Sequence, residues 1–120
     1  MTAADRLAEI KVRADAATDG PWTWASHRTV DGDEWAVFDP HGWALASNRD
    51  GWTPDAVFIA SARADVPALV KALQVVLQRH RRREAYDGNL DYCEVCVDTY
   101  GADWPCPEVR AINAALGVER

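Results

Sequence analysis

Residues 22–48 read WTWASHRTVDGDEWAVFDPHGWALASN. Three runs within this stretch alternate with a two-residue period. Trp22 and Trp24 flank Thr23, Trp35 and Val37 flank Ala36, and Trp43, Leu45 and Ser47 repeat the pattern. Asp31-Gly32 and Asp39-Pro40-His41-Gly42 lie between the runs and carry turn-forming residues. Short alternating runs joined by tight turns predict a three-stranded antiparallel meander. Trp22, Trp24 and Trp35 are its expected core.

Outward from the meander, the pattern becomes helical on both sides. Leu7, Ile10, Ala14 and Ala17 recur at spacings of three and four, giving one apolar face. Thr2 is the expected N-cap, Asp5 suits the positive end of the dipole, and Gly20-Pro21 is a stop. The first helix is placed at about 3–17. Thr53-Pro54-Asp55 opens a short helix over about 54–63, and Asp65-Val66-Pro67 reads as the start of a second, longer one. Val66, Leu69, Val70, Leu73, Val76 and Leu77 form its apolar stripe, with His80 on the same face and an expected end near Glu84. Asp87-Gly88-Asn89 is an expected turn. Pro107 begins a last helix behind Cys106, with Val109, Ile112 and Leu116 inward and Gly117 as the C′ glycine. The class is α+β. Residues 1–79 are expected as a helix–meander–helix domain, and 80–120 as a tail packed on the long helix.

The chain has 120 residues, 48% hydrophobic and 27% charged, the composition of a folded domain. No apolar run approaches the roughly 20 residues that span a bilayer. The N-terminus, with Asp5 and Glu9, does not read as a secretory signal. A net charge of −6 argues against broad nucleic-acid affinity. Three cysteines cannot close a disulfide framework, so reduced thiols and an intracellular setting are expected.

Those cysteines carry the main chemical signal. Cys93-Glu94-Val95-Cys96 is a C-x-x-C turn, which can aim two sulfurs at one metal ion. Cys106 follows Trp104-Pro105 at a helix start, where the dipole favours a thiolate. A structural zinc site takes four ligands, and His80 is the expected fourth; Asp91 and Asp98 are weaker choices, as are His27 and His41. One structural Zn2+ held by His80, Cys93, Cys96 and Cys106 is therefore predicted. Glu94 could be read as the base of a catalytic zinc, but three sulfurs and a histidine suit a closed site. A redox pair is the competing reading, but no thioredoxin-like strand precedes the motif. The tail alone is too small for a core, and structural zinc contributes on the order of 10 kcal/mol to folding.

Two segments resemble small phage early-region accessory proteins of the Ead type, frequent in phages and prophages of actinobacteria, and the tail resembles a module of related phage proteins. Residues 16–22, AATDGPW, resemble their A-A-T-x-G-P-W segment, and residues 55–69, DAVFIASARADVPAL, resemble D-A-x-F-I-A-x-A-R-x-D-V-P-x-L. The tail is similar to a C-x-x-C…[WY]-P-C-P-T-x-R-A-L module with an upstream histidine. It departs from that module at Glu108 and Ile112, where threonine and leucine are usual. The resemblance implies a viral protein working in the cytoplasm of a bacterial host, and it supplies no active site.

Two further features bear on binding. Trp43 and Trp52 flank the loop-like Ser47-Asn48-Arg49-Asp50-Gly51 and are candidates for anchoring a partner or stacking on a base. Arg81, Arg82 and Arg83 form a basic run that is a candidate anion site. Asp31, Asp33 and Glu34 read as a solvated turn. No P-loop, G-x-S-x-G, G-x-G-x-x-G or H-E-x-x-H occurs. The expected function is a non-enzymatic phage accessory protein that binds a host macromolecule, in a host-takeover or anti-defence role. The alternatives are a binder of a small phosphate-bearing ligand, such as a nucleotide-signal sponge, and a zinc-assisted nucleic-acid binder.

Overall fold

The computed structural model describes residues 1–49, 52–84, 90–97 and 103–118. The turn expected at Asp87-Gly88-Asn89, the Asp50-Gly51 loop positions and the ligand candidate Asp98 lie outside the described residues. The architecture is α+β: α1 (Ala3–Ala16), β1 (Thr23–Thr29), β2 (Gly32–Phe38), β3 (Ala44–Arg49), α2 (Thr53–Arg79), β4 (Arg82–Arg83), β5 (Tyr92–Cys93) and α3 (Pro107–Leu116). Chain contacts divide it into two units, Met1–Val12 with Val70–Arg120, and Arg13–Leu69.

In the Arg13–Leu69 unit the sheet runs in the order β1-β2-β3, all antiparallel, as the turn spacing predicts. Gly32 takes a φ of 125°, which any residue with a Cβ would resist in the first turn. In the second turn the Asp39 carboxylate accepts the backbone N–H groups of His41 and Trp43, each at 2.9 Å. Asp39 is thus buried with its acceptor satisfied. The core cluster is Trp35, Val37, Ala56 and Ala60, with Trp22, Ala46 and Ile59 packed on it. Trp24 departs from its expected core position: it is 38% exposed at the rim. On β3, Leu45 is exposed and Ala46 turns inward, and Trp43 before it is exposed.

The helical region after the sheet differs from the sequence reading. Asp65-Val66-Pro67 starts no new helix; α2 runs unbroken from Thr53 to Arg79 with Pro67 inside it. Proline there removes one helical N–H and crowds the carbonyl four residues back, a local cost that burial of Ala56, Ala60 and Val70 along α2 offsets. Leu69, expected on the apolar stripe, is 64% exposed. The helix stops at Arg79 instead of Glu84, and Arg82–Arg83 form β4.

In the other unit, α1 begins with a reciprocal cap. The Thr2 N–H donates to the Asp5 carboxylate at 2.9 Å, and the Asp5 N–H donates to the Thr2 hydroxyl at 3.1 Å. These Thr2 donors hold the Asp5 carboxyl below its ordinary range. Ala3 and Leu7 are the buried residues of α1. β4 and β5 pair antiparallel as a two-stranded ribbon. Gly117, with φ 66°, ends α3 in the left-handed conformation expected of a C′ glycine. Among the described residues no helix is long and apolar enough to cross a membrane.

Candidate metal centre

Three short elements bring the sulfurs and the imidazole together. α2 ends one residue before His80, whose N–H still donates to the Val76 carbonyl at 3.0 Å. The β4–β5 ribbon pairs Arg82 with Cys93, which places the C-x-x-C turn beside that helix end. Tyr92 bridges to Asp103, and the Trp104 N–H donates to the Asp91 carbonyl at 2.8 Å. The Trp104-Pro105-Cys106 segment is thereby laid along β5, with Cys106 as the extended N-cap of α3.

The outcome is a cluster in which one donor atom each from His80, Cys93, Cys96 and Cys106 lies within 4.8 Å of all the others. His80 presents Nδ1, at 3.3 Å from the Cys96 sulfur and 3.6 Å from those of Cys93 and Cys106. All three cysteines are free and buried, and with Val109 they form the core of this unit, under Leu77 and Trp104. These four residues are close enough to hold a metal ion. Asp91, a weaker candidate, is not among the clustered donors and pairs with Arg82. His27 and His41 lie in β1 and in the turn before β3.

Electrostatics set the three thiols apart. Burial opposes the Cys93 thiolate, but the backbone N–H groups of Cys96 and Val95 and the neighbouring thiols outweigh it, so its pKa falls below the ordinary thiol value. Burial pushes Cys96 up to about 12, helped by the Glu108 carboxylate and the other two cysteines. Burial also raises Cys106. The α3 N-terminus does favour its thiolate through the Val109 N–H, but less than burial disfavours it. Three adjacent thiolates need a cation to coexist, and a bound metal supplies it. In metal-free, reduced protein at neutral pH, Cys93 is therefore expected to alkylate before Cys96 and Cys106. Peptide mass mapping after brief iodoacetamide treatment checks this; equal modification of all three would contradict it.

The arginine run is engaged on the ribbon itself. Arg82 donates through Nε to Asp91 at 2.6 Å, Arg83 donates to Glu94 at 2.8 Å, and Arg81 approaches Glu94 at 3.6 Å. The Arg83 hydrogen bond is the main reason the Glu94 carboxyl lies below its ordinary range. A carboxyl depressed in the folded state stabilises above its unfolded pKa. That contribution fades as pH falls through the carboxylate range. Each pair is partly exposed and individually modest. Together they fasten β4 to β5 and to the C-x-x-C turn.

Glu108 is a residue that sequence reasoning noted only as a departure from the resembled module. Its carboxylate lies 3.4 Å from the Cys96 sulfur. The signal available was its position in the first turn of α3, two residues past Cys106. Of the binding candidates, Trp43 and Trp52 are exposed, at 75% and 72%. Comparison with protein-family models, with curated proteins and with solved structures gives no match to this chain.

Proposed function

We propose that this chain is a non-enzymatic accessory protein of the phage type it resembles, held at its C-terminal end by one structural zinc ion. The carrying observation is the convergence of three buried sulfurs and one imidazole nitrogen within 4.8 Å. The donor chemistry fits zinc. With Zn–S near 2.3 Å and Zn–N near 2.0–2.1 Å, tetrahedral geometry puts each nitrogen–sulfur pair about 3.5 Å apart. The His80 distances of 3.3–3.6 Å match that spacing before any metal is added. Four protein ligands leave no open position for a catalytic water, which supports a structural role and a binding task. Free thiols suit a reducing host cytoplasm.

The partner in this reading is a host macromolecule, most simply a protein. The exposed indoles of Trp43 and Trp52 support it, since tryptophan is enriched at the energetic centres of interfaces. A net charge of −6 counts against nucleic acid. The intramolecular pairs of Arg81, Arg82 and Arg83 count against that run as a free anion site.

Native mass spectrometry of protein purified reduced and without chelator tests the metal. One zinc mass per chain, lost on denaturation, is the expected result. A mass equal to the bare polypeptide would overturn the proposal. A second reading, a small phosphate-bearing ligand, is favoured by a groove elsewhere in the chain.

A further inference from the structure

The Arg13–Leu69 unit contains a groove of about 830 Å³, walled on one side by Gly20, Pro21, Trp22 and Trp24 and on the other by Ser61 and Arg63 of α2. Its size falls in the range of small-molecule sites. Both walls are fixed. The Trp22 indole N–H donates to the Thr18 carbonyl at 3.0 Å, which sets the ring. The Arg63 stem lies across Gly20: a Cβ at that glycine would sit 2.9 Å from Arg63 Cγ. A side chain at residue 20 would push the arginine stem aside.

Arg63 is the unsatisfied element. Its Nε is buried with no hydrogen-bond partner, and among the described residues no carboxylate pairs with it. By contrast, Arg28, Arg49, Arg81, Arg82 and Arg83 all have acidic partners. A buried N–H without an acceptor is costly, and nearly all such groups in folded proteins are satisfied. A planar fork of N–H donors matches the oxygens of a phosphate or carboxylate. Two indoles beside it offer faces on which a flat ring can stack.

We infer that this groove binds a planar aromatic anion, its ring against Trp22 and Trp24 and its acidic group on Arg63, with a nucleoside monophosphate as the leading source of that chemistry. The inference gives the small-ligand reading its site, rests on that reading and is independent of the metal. Occupancy would add a charge-assisted contact to a guanidinium that, among the described residues, has no carboxylate beside it. It also relocates the ligand from Arg81–Arg83 to a residue that sequence reasoning quoted only inside a motif.

The test is isothermal titration of the full-length, metal-loaded protein with AMP, GMP, benzoate and inorganic phosphate. A nucleotide should bind at one site, at least about tenfold tighter than inorganic phosphate, because the ring adds stacking. Arg63→Gln keeps the stem over Gly20 and should weaken binding by about tenfold or more. A second readout on the unmutated protein guards against a misfolded variant: the indole N–H resonances of Trp22 and Trp24 should shift with ligand, while those of Trp43 and Trp52 stay. Saturable binding of benzoate alone would support the aromatic-anion chemistry and assign it to a carboxylate. No saturation by any of the four at about 1 mM, equal binding to Arg63→Gln, or shifts confined to Trp43 and Trp52 would each overturn the inference. Failure here with one zinc per chain leaves the metal proposal standing. A missing zinc with an occupied groove does the reverse.

Discussion

Cys96→Ser is expected to reduce metal stoichiometry from one per chain to near zero and to unfold the C-terminal module. In the metal-free protein burial holds the Cys96 thiol up to about 12, so a cation is what makes it a ligand. Serine has no thiolate to offer at any ordinary pH. Three remaining ligands, two of them thiols, cannot retain a structural zinc worth on the order of 10 kcal/mol to folding. The hydrophobic consequence follows directly, because Cys93, Cys96 and Cys106 with Val109 are the buried core on which Leu77 and Trp104 pack. Amide exchange should lose protection across β4, β5 and α3. Chelator added to the unmutated protein should produce the same pattern. A Cys96→Ser protein that carries no metal and keeps full protection would show that the cluster is only a packed core.

The second large effect belongs to the sheet. Trp35→Ala should destabilise the Arg13–Leu69 unit by about 3–5 kcal/mol, the usual cost of emptying a buried tryptophan site. Trp35 is 5% exposed and shares its cluster with Val37, Ala56 and Ala60. Ala56 and Ala60 are too short to close a void of that size. Trp35→Phe should be much milder, below about 2 kcal/mol, for a second reason beyond volume. The Trp35 indole N–H is buried without a hydrogen-bond partner, so phenylalanine removes an unsatisfied donor along with the ring it loses. Urea unfolding followed by circular dichroism separates the two variants. Equal losses would mean that the indole nitrogen has a partner in solution.

The four clustered donors were legible because each sits on a local signal: a C-x-x-C turn, a proline-flanked helix start and the end of an apolar stripe. The meander was legible because its turns are made of Asp, Gly and Pro in short clusters. Which face of β3 is buried was not stated by its two-residue period alone. Val37 pairs with Ala46 and Phe38 with Ala44, so a bulge leaves Leu45 outside the ladder, while Trp43, Leu45 and Ser47 all lie exposed and Ala46 turns to the core. A bulge depends on the partner strand, which one strand's pattern cannot report. Asp65-Val66-Pro67 carries the same start signal as Thr53-Pro54-Asp55. Which of two such signals is used depends on tertiary burial along α2, and only the first is. The basic run looked available because its acidic partners, Asp91 and Glu94, come close only once β4 and β5 pair. Arg63 escaped notice because an unsatisfied donor is defined by what surrounds it.

The division of the chain has a consequence for the order of assembly during translation. The Arg13–Leu69 unit is contiguous in sequence, so a ribosome delivers it whole before the other unit is half made. Met1–Val12 precedes it in the chain but belongs with Val70–Arg120. Leu7, 1% exposed when folded, must therefore wait in water while more than fifty residues are added. At about 5–20 residues per second that wait lasts several seconds. Cys106 leaves the ribosome later still, after Val70 and the C-x-x-C turn. The N-terminal segment and the His80–cysteine cluster are thus completed together, by residues made after the sheet.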